Sequence, residues 1–187
     1  MRDLFRREIS AYADAHRDRV NGWMHTIGNP ILFVAVVLPL CLVPVTFLGV
    51  HTSAAPLLVI PALIVWMAFD LGLGVAIAVT SVPLLWIAAL IADHVSVASV
   101  WIIAVALFVV GWGLQIVGHK VFEHNWPSLI HDPLHMLMSP MYQFAKLFIA
   151  FGFRADLATL LRQSAPQTPY APPLYPGDGR ADAGRHP

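Results

Sequence analysis

Residues 73–118 read LGVAIAVTSVPLLWIAALIADHVSVASVWIIAVALFVVGWGLQIVG, an apolar stretch broken by one ionisable pair, Asp93-His94. Roughly 20 apolar residues cross a hydrocarbon core of about 30 Å. The stretch therefore holds two spans, near 73–92 and 97–118, joined at Asp93-His94. Working outward, a shorter apolar run covers 54–70 and another covers 28–49. One helix through 54–92 would be nearly twice too long for a membrane, and Asp70 with two following glycines supplies a turn. Pro39, Pro44, Pro61 and Pro83 lie inside these runs and predict local kinks. The composition agrees: 58% hydrophobic and 12% charged residues in a chain of 187, with mean hydropathy +0.69, lie outside the soluble range.

The basic residues orient these runs. Between Val20 and His119 there is no lysine or arginine, and all 11 basic residues lie in 1–19 or 120–187. Cytoplasmic loops collect Lys and Arg, so both flanks read as cytoplasmic and the number of spans as even. The expected fold is an all-α integral membrane protein with four transmembrane helices and both termini cytoplasmic. The tips near His51 and Asp93-His94 then face outside, while Trp23 and Trp126 mark the cytoplasmic boundary. Residues 1–20 predict an N-terminal interfacial helix. Asp132-Pro133 predicts the cap and first position of a C-terminal interfacial or re-entrant helix. A fifth span there would carry Arg154 and Arg162 outside. Residues 1–163 read as one membrane-embedded domain, and 164–187, dense in Pro, Gly, Ala and Asp, as a disordered tail. The late first apolar run argues against a signal peptide. Cys41 is the only cysteine, which excludes an intrachain disulfide and a zinc-thiolate cluster. Nothing in the charge distribution suggests a nucleic-acid partner.

Candidate chemistry gathers at the two borders of the uncharged block. His16, Asn21 and His25 precede the first span, and His119 and Glu123 follow the fourth in GHKVFE. On a helix continuing from the fourth span, His119 and Glu123 share a face one turn apart. An unbroken helix would point His16 and His25 in opposite directions, so a break at Asn21-Gly22 is expected. An even number of spans brings both borders to one membrane face. Nitrogen and carboxylate donors without sulfur suit iron(II), manganese or zinc, and two or three histidines plus one carboxylate serve non-haem iron(II) oxygenases. Glu123 could equally orient a ligating imidazole. His124, His131 and His135 are nearby, whereas His51 and His94 would lie about 30 Å away across the bilayer. Asp70 reads as a helix cap. Zinc or manganese in the same cluster would suit hydrolysis or hydroxylation of a lipid. A non-catalytic scaffold could use the cluster as a hydrogen-bond network. No ionisable residue stands at mid-span, which argues against a transporter.

The pattern Tyr12, His16, Asn21, His25, Pro30, then GWGLQIVGHKVFEHNWPSLI from Gly111, and Pro140 before an apolar stretch, resembles a known family. It is that of the fungal 2-hydroxy-fatty-acid dioxygenase of the endoplasmic reticulum and its bacterial relatives, over roughly residues 5–153. The resemblance implies an Fe(II)-dependent enzyme of fatty-acid α-oxidation, using dioxygen to convert a 2-hydroxy fatty acid to the acid one carbon shorter plus carbon dioxide. By the same resemblance His16, His25, His119 and Glu123 match the motif's metal-binding and catalytic residues. His124-Asn125-Trp126 departs from the basic residues expected before the motif proline. The implied location is a bacterial inner membrane, with the site on its cytoplasmic side.

Overall fold

The computed structural model describes residues 2–126 and 132–163, so the tail and His131 lie outside the described residues. Helix α1 (Arg2–Asp14) leads into α2 (Arg19–Leu40), followed by a hairpin of β1 (Pro44–Phe47) and β2 (Val50–Ser53). Then come α3 (Ala54–Phe69), α4 (Leu71–His94) and α5 (Val97–Val117), the last extended by a π-helical turn, Gly118–Phe122. Helices α6 (Leu134–Ala150) and α7 (Ala155–Gln163) complete the described chain.

Among the described residues three helical segments, Arg19–Leu40, Leu71–His94 and Val97–Phe122, are long and apolar enough to cross a membrane. The protein is thus an all-α protein of membrane type. Helix α3 is apolar but has 16 residues, and at about 1.5 Å per residue it reaches only about 24 Å. The outward faces of α4 and α5 carry Val79, Trp86 and Val109, and Ile102 is 70% exposed. Such continuous apolar surface is unfavourable in water but natural against lipid, where helices satisfy their backbone groups internally.

The first span differs from the expected 28–49 at both ends. Helix α2 starts at Arg19 because the Asp18 carboxylate accepts from the backbone N–H groups of Val20 and Asn21, an N-cap that hydropathy does not reveal. The chain therefore breaks before Asp18, and Asn21-Gly22 lies inside the helix. At the far end the helix stops at Leu40, and Pro44 begins β1 rather than kinking a span. The hairpin turns at Leu48 and Gly49, both with positive φ, 49° and 81°. That geometry matches the left-handed pair favoured in two-residue hairpins.

Helix α2 packs against α5 and α4, and α3 against α4. Glycines allow close approach: a Cβ on Gly74 would stand 2.6 Å from the Met67 backbone, and one on Gly111 2.6 Å from Leu32 Cγ. Small residues of this kind let membrane helices meet through dispersion. Each connection reverses the chain, so the start of α2, the end of α3, the start of α4 and the end of α5 share one end of the bundle. His51 and His94 lie at the other. Helices α1, α6 and α7 cap the shared end over a core of Phe5, Ile9, Tyr12, Leu73, Met138 and Met141.

Asp70 caps α4, accepting from Leu73 N at 3.0 Å. It also receives both terminal nitrogens of Arg154, each at 2.8 Å, which ties the α6–α7 connection to the bundle. Burial pushes the Asp70 carboxyl up, but the hydrogen bonds from Arg154 and Leu73 outweigh it and leave the pKa below the usual value. At the start of α6 the Asp132 carboxylate accepts from Leu134 N at 2.9 Å. The cap position nonetheless falls on Pro133 and the helix begins at Leu134, each one residue later than the expected Asp132 and Pro133.

Candidate metal centre

Helix α1 ends at Asp14, and the following turn brings His16 back beneath it. The Tyr12 carbonyl stands 2.8 Å from His16 Nδ1. A carbonyl can only accept, so this contact puts the proton on Nδ1 and leaves the Nε2 lone pair free. The Tyr12 ring stacks on His16 with centroids 3.7 Å apart. Burial first, and then the neighbouring His25, push the His16 pKa down to about 2, so the imidazole is neutral at physiological pH.

His25 stands on α2, and His119 on the π-helical turn that closes α5. Their Nε2 atoms are 3.1 Å apart. His25 Nδ1 faces the hydroxyls of Tyr12 at 3.3 Å and Ser139 at 3.4 Å. The three imidazole rings meet nearly at right angles, His16 to His25 at 80°, His16 to His119 at 81° and His25 to His119 at 90°. All three residues are buried, and one nitrogen from each lies within 4.8 Å of the others. Two facing nitrogens need either a shared proton or a cation between them. His119 Nδ1 is buried with no hydrogen-bond partner among the described residues. A neutral His16, its free lone pair and this donor set fit a divalent transition ion.

Glu123 lies outside that group of three. Its Oε1 accepts from Asp18 N at 2.7 Å and from Asn21 Nδ2 at 3.2 Å. Glu123 directly follows the π-helical turn Gly118–Phe122, and it was expected to share a face with His119. The carboxylate thus pins the turn carrying His16 to the end of α5. Asn21 is fully buried, and Gly118 is the residue against which it packs.

Other residues join the setting, Tyr12 and Gln115 from the motif stretches and Asn29 and Ser139 without a local sequence signal. Tyr12 donates to Ser139 Oγ at 3.0 Å. Asn29 Nδ2 donates to the same oxygen at 2.9 Å, and Gln115 Nε2 donates to Asn29 Oδ1 at 3.0 Å. These contacts bind α1, α2, α5 and α6 around the histidines. Lys146 reaches in from α6: its Nζ lies 4.7 Å from the Tyr142 ring centroid and 2.8 Å from the position of a Cβ on Gly22. Gly22 is one turn from His25. Two cations nearer the motif are engaged elsewhere: Lys120 lies 3.4 Å over the Trp126 ring, and Arg17 pairs with Asp14 at 3.2 Å. His124 takes no part in the cluster of three, and its backbone is left-handed at φ 53°. His135 is separated from His16 by the Tyr12 ring.

Fold and centre together define a helical membrane protein with a buried three-histidine site at one end of its bundle. The chain belongs to the family described as 2-hydroxy-palmitic acid dioxygenase Mpo1-like, whose model matches residues 3–151. No curated protein and no solved structure matches it.

Proposed function

We propose that the protein is an Fe(II)-dependent dioxygenase acting on a 2-hydroxy fatty acid. The products are the fatty acid one carbon shorter, carbon dioxide and water. The observation that carries this reading is the convergence of His16, His25 and His119 in a chain whose family description names a 2-hydroxy acid dioxygenase. The stoichiometry is self-contained: one hydroxy acid and one dioxygen give these products with atoms and electrons balanced, so no nicotinamide or flavin is required.

His16, His25 and His119 would hold the iron through Nε2. Glu123 serves the centre by fixing the His16 turn. Bound there, iron(II) would supply Lewis acidity toward the hydroxy acid and redox chemistry toward dioxygen. The Tyr12 carbonyl keeps the His16 proton on Nδ1, and the Tyr12 and Ser139 hydroxyls hold the His25 ring. Such contacts orient ligands and raise their basicity. The Lys146 ammonium lies within no ion-pair distance of a carboxylate among the described residues, and we assign it the substrate carboxylate. The alkyl chain extends into the apolar layer from there. The centre faces the cytoplasm of a bacterial inner membrane, since Arg2, Arg6, Arg7, Arg17, Lys120, Arg154 and Arg162 belong to the same end of the bundle.

Replacing His119 with Ala tests the assignment. Turnover of 2-hydroxy acid and bound iron should both fall to background, while His94→Ala at the opposite end leaves both unchanged. A His119→Ala protein with normal iron content and full activity would overturn it.

A further inference from the structure

Glu8, Asp132 and His135 bring one oxygen, one oxygen and one nitrogen within 4.8 Å of one another, on the far side of Tyr12 from the three histidines. Glu8, Tyr12 and His16 recur every four residues along α1 and its end, so the Tyr12 ring stands between the two clusters. It stacks on His16 at 3.7 Å and meets the His135 ring edge-on at 5.6 Å. Glu8 is buried, 4% exposed, although carboxylates rarely leave water unless paired.

His135 provides the independent sign of a ligand. It is 9% exposed, and both of its ring nitrogens are buried without a hydrogen-bond partner among the described residues. A buried imidazole with neither nitrogen satisfied is unfavourable unless something occupies the space it faces. Its nearest carboxylate oxygen, Asp132 Oδ2, is 4.0 Å from Nε2, too far for a hydrogen bond. Asp132 Oδ1 is already committed to Leu134 N, which leaves Oδ2 available. Arg7 holds Glu8 Oε1 at 2.7–2.8 Å, which leaves the other carboxylate oxygen. Ligands about 2.1 Å from one ion lie about 3–3.5 Å apart, so modest side-chain rotation closes the set.

We propose that Glu8, Asp132 and His135 form a second site for a divalent transition-metal ion, which clamps α1 to the start of α6. Two carboxylates and one imidazole without sulfur suit zinc, manganese or iron(II). The ion neutralises the two carboxylates and satisfies His135. It also fixes α1, which carries Tyr12 and leads to His16. The site stands on its own residues and does not depend on the reaction proposed above.

The test is zinc(II) binding by the full chain in detergent after chelator treatment, read as ions per chain by mass spectrometry of the dialysed protein. Wild type should hold two, and His135→Gln, Glu8→Gln and His119→Gln one each. Size-exclusion profiles and far-ultraviolet circular dichroism verify the fold, and Glu8→Gln decides if His135→Gln fails to fold. One ion in wild type, lost in His135→Gln but kept in His119→Gln, would sustain the second site and refute the three-histidine one. A wild type that binds one ion and keeps it in His135→Gln and Glu8→Gln would overturn the proposal. So would unchanged binding of two ions by both variants, or no binding by wild type.

Discussion

Replacing Gly118 with Ala tests how the close-packed end of α5 supports the histidines. A Cβ at Gly118 would collide with Asn21 Oδ1, and would lie 3.2 Å from Asn21 Cγ and 3.3 Å from Met24 Sδ. Asn21 is fully buried and cannot swing into solvent. Either the two helices part or Asn21 turns away from Glu123, its partner at 3.2 Å. Overpacking a tight contact costs about 1–3 kcal/mol, and a hydrogen bond to a charged group contributes about 1.5–3 kcal/mol. Because one strain relieves the other, the expected loss is about 2–4 kcal/mol rather than their sum. Gly113 is the matched control on the same helix: a Cβ there meets nothing within 4 Å, and Gly→Ala in a helix gains about 0.5–1 kcal/mol. Reversible unfolding in mixed micelles should separate Gly118→Ala from Gly113→Ala by about 2.5–5 kcal/mol. Iron affinity should fall only in the first. Equal stability of the two variants would refute the close-contact reasoning.

Three further outcomes follow from the same geometry. Glu123→Ala leaves the Asp18 N–H without its acceptor and should destabilise by about 1–3 kcal/mol, while the amide oxygen of Glu123→Gln keeps most of that contact and normal iron stoichiometry. Iron lost from a folded Glu123→Gln protein would instead make the carboxylate a ligand. Tyr12→Phe retains the stack on His16 but removes the hydroxyl facing His25 and Ser139; iron affinity measured by chelator competition should drop about 10–100-fold. Asp70 has a folded-state pKa below its ordinary value of 3.8, so the stability it contributes is present above that value and lost as pH falls through the lower folded one. Thermal midpoints in detergent between pH 7 and 3 should therefore fall at the acid end for wild type and fall less for Arg154→Met; identical acid profiles would contradict the pairing.

The uncharged block made α3, α4 and α5 legible to within about two residues, because Asp70 and the Asp93–Ser96 segment punctuate it with cap and turn chemistry. The first span was less legible. Residues 41–49 are as apolar as the helix before them, so hydropathy does not distinguish a β-hairpin from a membrane helix there. The start of α2 was hidden for the opposite reason: its first two turns are polar and are helical through the Asp18 cap. Among candidate site residues, His16, His25 and His119 are visible as histidines bordering a charge-free block, and the fold brings them together. Glu123 stands outside the group of three, and its contacts with Asp18 N and Asn21 Nδ2, more than 100 residues away in the chain, have no spacing signal. Tyr12 belongs to the motif spacing, but Ser139, Lys146 and the grouping of Glu8 with Asp132 and His135 have no spacing signal, because they meet only when α1 and α6 fold over the end of the bundle.

The most direct test of the central claim is product formation by the purified protein, reconstituted with iron(II) without oxygen and then offered 2-hydroxypalmitate with or without dioxygen. Mass spectrometry should detect pentadecanoate only when iron and dioxygen are both present, with carbon dioxide in equal amount. A folded, iron-loaded protein that forms no shortened acid from 2-hydroxy acids of several chain lengths, or that forms it equally well without dioxygen, would contradict the account.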